Sequence, residues 1–352
     1  MNNMIECNQK IFLSLIEFAQ KKGEIIENDK KVRFITTNDE EKEIIKRFKI
    51  GKKEKITQKI EFSLGFFKED NYLIIIGPNT DELTEDLLNF GPNEINAGWF
   101  TIIVNLMNIE IKVDSSIYEI KDRLDNRYLN HQSQSSYPGH DFLEISTFFK
   151  SIHVFKINTR TSDQNLYRNA GLFLCSSVKL LNLNIDRKLL EIYKDTFLEI
   201  SNNLPYERIL DSLISMRWKD SFLDTYRCIE RLFSYIHVNN LYKDLSLTLN
   251  IHDFIKKIED HLKWKPKENI AIDLIFSTCT EPEKDFFLAV RKKIDGKTEP
   301  HDIGTKLIYC LRNSIVHDRT NDDKTYEILD EKDWTDLVCG MLLVIKRNYK
   351  DY

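Results

Sequence analysis

At 352 residues the chain exceeds what one hydrophobic core usually fills, and a prior of roughly 100–200 residues per domain gives two domains. Charged residues at 30% beside only 11 glycines and 7 prolines describe a folded, helix-rich chain and exclude a disordered one. A formal net charge of −5 excludes a surface that binds nucleic acid everywhere, so any RNA binding has to come from a local cleft.

The six cysteines (Cys7, Cys175, Cys228, Cys279, Cys310, Cys339) are far apart, with neither the paired spacing of a zinc site nor a disulfide framework. They read as buried free thiols of a reducing cytosol. No apolar run follows a basic start, and no stretch approaches the ~18 apolar residues of a membrane span, so a cytoplasmic protein is expected. The abundance of Lys, Ile and Asn fits an AT-rich bacterial coding sequence.

In chain order, residues 8–22 predict a helix with Ile11, Phe12, Leu15, Ile16 and Ala19 on one face. Residues 32–35 read as a strand, 40–48 as a short charged helix, and 56–67 as a longer alternating strand. The run 72–76, closed by Gly77-Pro78, reads as a buried strand, 80–90 as a helix with an acidic first turn, and 99–113 as one or two further strands. Gly77-Pro78-Asn79-Thr80 lacks the lysine and further glycines of a phosphate loop and is read as a turn. The polar stretch 131–140 holds His131 and His140 without carboxylates at ligand spacing, which predicts a surface loop, and 152–157 has strand character. Residues 1–160 thus predict an α+β domain with a mostly antiparallel sheet.

From about Asn165 the pattern changes to apolar spacing near 3.6, over 166–181, 187–200, 206–216, 219–237, 252–262, 283–293, 303–316 and 334–347. Residues 161–352 therefore predict an all-α domain of helical-bundle type. Trp218, Trp264 and Trp334 are read as packing residues of that bundle.

Within the bundle, Leu311-Arg312-Asn313-Ser314-Ile315-Val316-His317 sets an arginine, an amide and a histidine within two turns. A guanidinium binds phosphate through a planar fork of donors, and an imidazole moves protons near neutral pH. The earlier run Tyr226-Arg227-Cys228-Ile229-Glu230-Arg231-Leu232-Phe233 pairs an apolar stripe with a polar one formed by Arg227, Glu230 and Arg231. A second arginine–histidine pair, Arg231 and His237, is read as structural, with His237 at the end of its helix.

The order of these two runs, a Glu-bearing helix and later an Arg-Asn…His helix followed by one last apolar helix, resembles the HEPN superfamily. The closer likeness is to its Apea-like domains, which often follow a β-containing N-terminal domain. The resemblance covers roughly the last half of the chain.

It implies a metal-independent endoribonuclease without a cofactor, in which an RNA 2′-hydroxyl attacks the neighbouring phosphate. His317 would act as general acid/base, Arg312 would stabilise charge on the non-bridging oxygens, and Asn313 would orient the imidazole or the phosphate. Glu230, Arg231, Arg227 and Arg319 are assigned to substrate binding and support. The competing reading of Glu230 is a surface ion pair with Arg227 or Arg231. Arg319 stands where toxin-like members often have tyrosine.

On an ideal helix Arg312 and His317 lie ~140° apart, so both reach one phosphate only if the arginine bends round, the last turn distorts, or two copies meet. The resemblance implies the third route, a homodimer through the helical domain. It also implies an RNA-degrading effector in bacterial anti-phage defence or a toxin system, its N-terminal domain answering to a regulatory protein or phage trigger. The alternative is a catalytically inactive HEPN module that serves as a dimerisation or scaffold subunit.

Overall fold

Three asparagines start the first three helices. Asn3 accepts from the Ile5 amide ahead of α1 (Met4–Lys21), Asn38 from Glu41 ahead of α2 (Asp39–Arg47), and Asn96 from Trp99 ahead of α3 (Ala97–Met107). Each satisfies an amide that the first helical turn leaves without an intrahelical acceptor. The computed structural model describes residues 2–26, 33–57, 59–78, 92–129, 137–157, 163–201, 203–297, 302–317 and 325–350. The chain divides into two units, Met1–Leu166 and Tyr167–Tyr352, at a boundary a few residues beyond the expected one.

The first unit contains an antiparallel sheet of five strands in the order β1-β2-β3-β5-β4. These are β1 (Lys49–Lys55), β2 (Glu61–Phe67), β3 (Asp70–Gly77), β4 (Pro92–Asn93) and β5 (Ser151–Ile157). β3 sits between β2 and β5 and is buried from Tyr72 to Ile76, which is why its sequence is a continuous apolar run. Tyr72, Ile74 and Ile76 face a core built with Ile11, Leu15, Ile45, Trp99 and Ile103. Two further helices, α4 (Ile117–Leu129) and α5 (Phe142–Ser146), precede β5.

Four expectations for this unit need correction. Residues 99–113 do not supply strands. They fall largely in α3, whose residues from Ala97 to Val104 are all buried, so no polar face marks the helical period, and Thr101, Ile102, Ile103 and Val104 imitate a strand. The long strand expected over 56–67 begins only at Glu61. Beyond β1 the Ile56 amide donates to the Ile60 carbonyl, and β1 is a lysine-rich edge strand with no apolar alternation.

Residues 33–35 form no ladder. Ile35 makes an isolated parallel bridge to His140, and its amide donates to the Asn8 side chain at 2.8 Å. His140 is not on the surface, for it is fully buried and packs at 4.9 Å on the Phe12 ring. The helix expected over 80–90 and His131 lie outside the described residues.

Glu41 fixes α2 against α3. It closes the capping box of α2 with Asn38, and its other oxygen accepts from the Ala97 amide at 3.2 Å. A Cβ on Gly98 would meet the Glu41 carbonyl oxygen at 2.7 Å, so only glycine allows this approach.

The second unit is helical, as its spacing predicts. Its helices are α6 (Asp163–Cys175), α7 (Arg187–Leu198), α8 (Tyr206–Ile214), α9 (Trp218–Glu230), α10 (Phe233–Asp244), α11 (Ile251–Leu262), α12 (Glu268–Ser277), α13 (Glu281–Asp295), α14 (Cys310–Val316) and α15 (Glu331–Lys350). The expected helix over 219–237 is two, broken at Arg231 and Leu232, and α12 lies outside the expected spans. Buried hydroxyls join α7, α8 and α9: Tyr193 and Ser212 share a hydrogen bond of 2.5 Å, and Ser212 and Ser221 one of 2.9 Å. No described helix is long and apolar enough to cross a membrane.

α15 crosses α13 at Gly340, where an added Cβ would fall inside contact distance of the fully buried Phe287 ring. Overpacking of this kind costs roughly 1–3 kcal/mol. Gly340→Ala should therefore lower the urea midpoint despite the better helix propensity of alanine, and an unchanged midpoint would show that the ring moves aside freely.

Candidate functional site

The motif helix α14 does not begin as the sequence predicts. Residues Ile303–Tyr309 form a π-helical segment that runs straight into it. Wider i→i+5 turns are rare and alter the rotational phase of the next helical turns, so Arg312 faces elsewhere than on one continuous α-helix. Two interactions with α12 hold the segment. The Asp273 carboxylate accepts from the Thr305 amide at 2.7 Å and from its hydroxyl, and a Cβ on Gly304 would meet the Ile272 carbonyl oxygen at 2.7 Å. Leu307, Ile308 and Leu311 then bury the inner face.

This arrangement brings Arg312 to α9. One guanidinium nitrogen lies 3.6 Å from a carboxylate oxygen of Glu230, and another donates to Asn313 Oδ1 at 2.9 Å. The guanidinium carbon stands 5.7 Å from the centre of the Tyr226 ring, within range of a cation–π attraction. Glu230, one turn after Tyr226 on α9, is therefore paired with the motif helix and not with Arg227 or Arg231.

Burial raises the Glu230 carboxyl above its ordinary range and the charge of Glu268 adds to this, while Arg312 and Arg227 oppose it. A carboxyl raised in this way contributes stability that is present in full below its unfolded pKa and is lost as pH rises through the folded value. Glu230→Gln removes that dependence. The stability of wild type relative to the variant should decline as pH is raised from about 4 to about 7, and a flat difference would mean that the carboxylate is solvated as in the unfolded chain.

Tyr226 is 1% exposed, and its hydroxyl has no hydrogen-bond partner among the described residues. Burial foremost, then the carboxylates of Glu230 and Glu268, push the phenol up, so it stays a neutral donor at physiological pH. The sequence pattern assigns Tyr226 only to the apolar stripe of α9. The available signal is that one position of a stripe otherwise made of Phe222, Ile229 and Phe233 carries a hydroxyl, which a buried tyrosine has to satisfy.

His317 is exposed, beyond the last residue of α14, with φ −99° and ψ 10° and its amide donating to the Asn313 carbonyl at 2.9 Å. Its imidazole makes no hydrogen bond to Arg312, Asn313 or Glu230. Arg227 is drawn away to Asp224 at 2.6 Å. Arg231 is exposed at the end of α9 and forms no ion pair among the described residues. Arg319 lies outside the described residues. His237 does not end its helix as expected: it sits inside α10, half-buried, its ring edge-on to Trp264 at 5.9 Å.

The geometry thus joins Arg312, Asn313, Glu230 and Tyr226 from two helices distant in sequence, sets His317 at the open end of the same motif, and leaves Arg227 and Arg231 apart. Such a group offers a forked cation for an oxyanion and an accessible imidazole for proton transfer. Comparison with protein-family models, with curated proteins and with solved structures yields no match for this chain.

Proposed function

We propose that the helical unit is a metal-independent endoribonuclease of HEPN type. The observation that supports this most directly is the 3.6 Å contact between Glu230 and Arg312. The two stretches that carry the family likeness lie far apart in the chain, and an unrelated helical bundle has no reason to bring those two residues together.

On this reading the RNA 2′-oxygen attacks the adjacent phosphorus and loses its proton to one imidazole. The bond from phosphorus to the 5′-oxygen breaks, and a second imidazole gives that oxygen a proton. A 2′,3′-cyclic phosphate and a 5′-hydroxyl remain. Arg312 meets the charge that grows on the non-bridging oxygens, and Asn313 holds the guanidinium in place.

Two imidazoles imply two copies of the chain with their motif helices facing. Val316, 49% exposed beside His317, offers that contact an apolar side chain. The wider role, an RNA-degrading effector of bacterial anti-phage defence or a toxin system under control of the first unit, rests on the HEPN likeness alone.

One observation favours the second reading, a non-catalytic dimerisation or scaffold module. Arg312 is already engaged by Glu230 and Asn313, and His317 stands clear of both. Incubating labelled RNA with wild type, Arg312→Ala and His317→Ala in excess EDTA, then identifying the product ends, separates the two. Cyclic-phosphate ends from wild type alone support the nuclease, and no cleavage by folded wild-type dimer, with or without phage-infected lysate, supports the scaffold.

A further inference from the structure

At the N-terminal end of α9, opposite the Glu230–Arg312 contact, a cavity of about 540 Å³ opens to solvent. That volume is in the range of small-molecule sites. Its inner wall is apolar and fixed: Trp218 and Trp334 are 9% and 6% exposed, and Trp334 is held edge-on against Phe222 at 5.9 Å. Its mouth is aromatic and mixed in charge: Glu331 is exposed there, Arg217 is paired with Asp220 at 2.7 Å, and Lys219 is the cation left for a ligand. Tyr326 keeps its ring partly open to solvent, and the Lys219 ammonium stands 5.9 Å from the centre of that ring with no carboxylate partner among the described residues.

Two amides also line the cavity. Asn182 donates through Nδ2 to the Ile214 carbonyl at 2.8 Å, which orients its oxygen as an acceptor, and Asn184 makes no side-chain hydrogen bond among the described residues. A flat aromatic face, an unpaired ammonium and a free carboxamide are the three groups that a nucleotide uses. The ring stacks a base, the amide reads a base edge and the cation meets the phosphate. A purely apolar ligand would leave Lys219 and Asn184 unsatisfied, and a simple anion would have no use for Tyr326.

We propose that this cavity binds one nucleotide unit, with the base on Tyr326 and the phosphate on Lys219. Its place in the reaction rests on the ribonuclease reading. From Trp218 to Glu230 the axis of α9 runs about 18 Å at ~1.5 Å per residue. A strand held at both ends of α9 would therefore set a base a few nucleotides from the reacting phosphate, and the cavity would select which phosphate is cut.

The test is titration of the full-length protein, followed by tryptophan fluorescence and by competition, with the four ribonucleoside monophosphates and with a short DNA strand, which lacks the attacking 2′-hydroxyl. Wild type is expected to bind at least one mononucleotide in the roughly millimolar range, and Tyr326→Ala, Lys219→Ala and Asn184→Ala each to weaken it about fivefold or more. All three positions are partly or fully exposed, so folding should survive, and unchanged circular dichroism checks it. Binding of mononucleotide alone identifies a free nucleotide as the occupant, and binding of both identifies a strand.

No binding to wild type at about 10 mM, or binding that none of the three substitutions alters, overturns the proposal. Cleavage by wild type separates it from the ribonuclease reading. Nucleotide binding by a wild type that cleaves no RNA leaves the cavity standing and the nuclease refuted, whereas Arg312→Ala should lose cleavage and keep nucleotide binding on both readings. Cleavage whose cut positions do not change in the cavity variants does the reverse.

Discussion

On the proposed ribonuclease reading, RNA cleavage by Arg312→Ala is expected to be roughly 10²–10³-fold slower than by wild type, the usual loss when a donor aimed at a developing oxyanion is removed. Arg312→Lys should recover little of it. The guanidinium reaches Glu230 with one nitrogen and Asn313 with another while lying over Tyr226, and a single ammonium on a flexible stem cannot hold these three contacts together.

Tyr226→Phe is the informative companion, because it keeps the ring beneath the cation and deletes only a hydroxyl that has no partner among the described residues. It should leave thermal stability unchanged or slightly higher, since the hydroxyl now bears an uncompensated desolvation cost. Cleavage rates of the three variants, each normalised to the folded fraction, give the check. Full activity in Arg312→Ala would remove the guanidinium from the chemistry, and recovery by lysine would reduce its role to that of a point charge.

Much of the fold is legible in the sequence wherever one face of an element is wet. The capping box from Asn38 to Glu41, the Asp186 cap of α7, and the Thr280–Glu283 box with Gly296 ending α13 are local signals, and the apolar spacing between such signals is helical. Legibility fails where burial or tertiary contact decides. α3 loses its period because nearly all its positions are inside. β1 loses its own because an edge strand is lysine-rich. The break between α9 and α10 falls where the apolar stripe continues through Ile229, Leu232 and Phe233, with no glycine or proline to mark it.

The candidate site divides in the same way. Arg312, Asn313, His317 and Glu230 stand out as residue types in order along the chain. That Glu230 faces Arg312, and not its neighbours Arg227 and Arg231, depends on the π-helical segment, and the segment depends on Asp273 of another helix and on a glycine at position 304. No spacing rule within α14 contains that information. The orphaned hydroxyl of Tyr226 is likewise a property of the packed bundle.

Arg347→Ala is expected to destabilise the helical unit by about 3–5 kcal/mol, and Glu283→Ala by less, although both cut the same ion pair. Arg347 near the end of α15 donates from Nε to Glu283 at 3.0 Å and from a terminal nitrogen to the Thr278 hydroxyl at 2.7 Å. The Glu283 side chain is 7% exposed and that of Arg347 29%. Removing the arginine therefore strands a buried carboxylate, whereas removing the carboxylate leaves a cation that water can reach.

Glu283→Ala has a cost of its own, because the second carboxylate oxygen accepts from the Thr280 amide at 2.7 Å and caps α13, a contribution of about 1 kcal/mol. A double-mutant cycle on urea unfolding separates the two contributions. Equal losses from both single variants would mean that the cap and the stranded charge weigh the same. A smaller loss from Arg347→Ala than from Glu283→Ala would mean that the carboxylate finds water or a proton once its partner has gone. The pair also bears on the candidate site: two residues on, Tyr349 donates to the Cys228 carbonyl at 2.8 Å in the turn of α9 between Tyr226 and Glu230. Loosening the end of α15 should therefore disturb the Arg312 contact without touching it, and Arg347→Ala is the control that distinguishes a lost catalytic group from a lost platform.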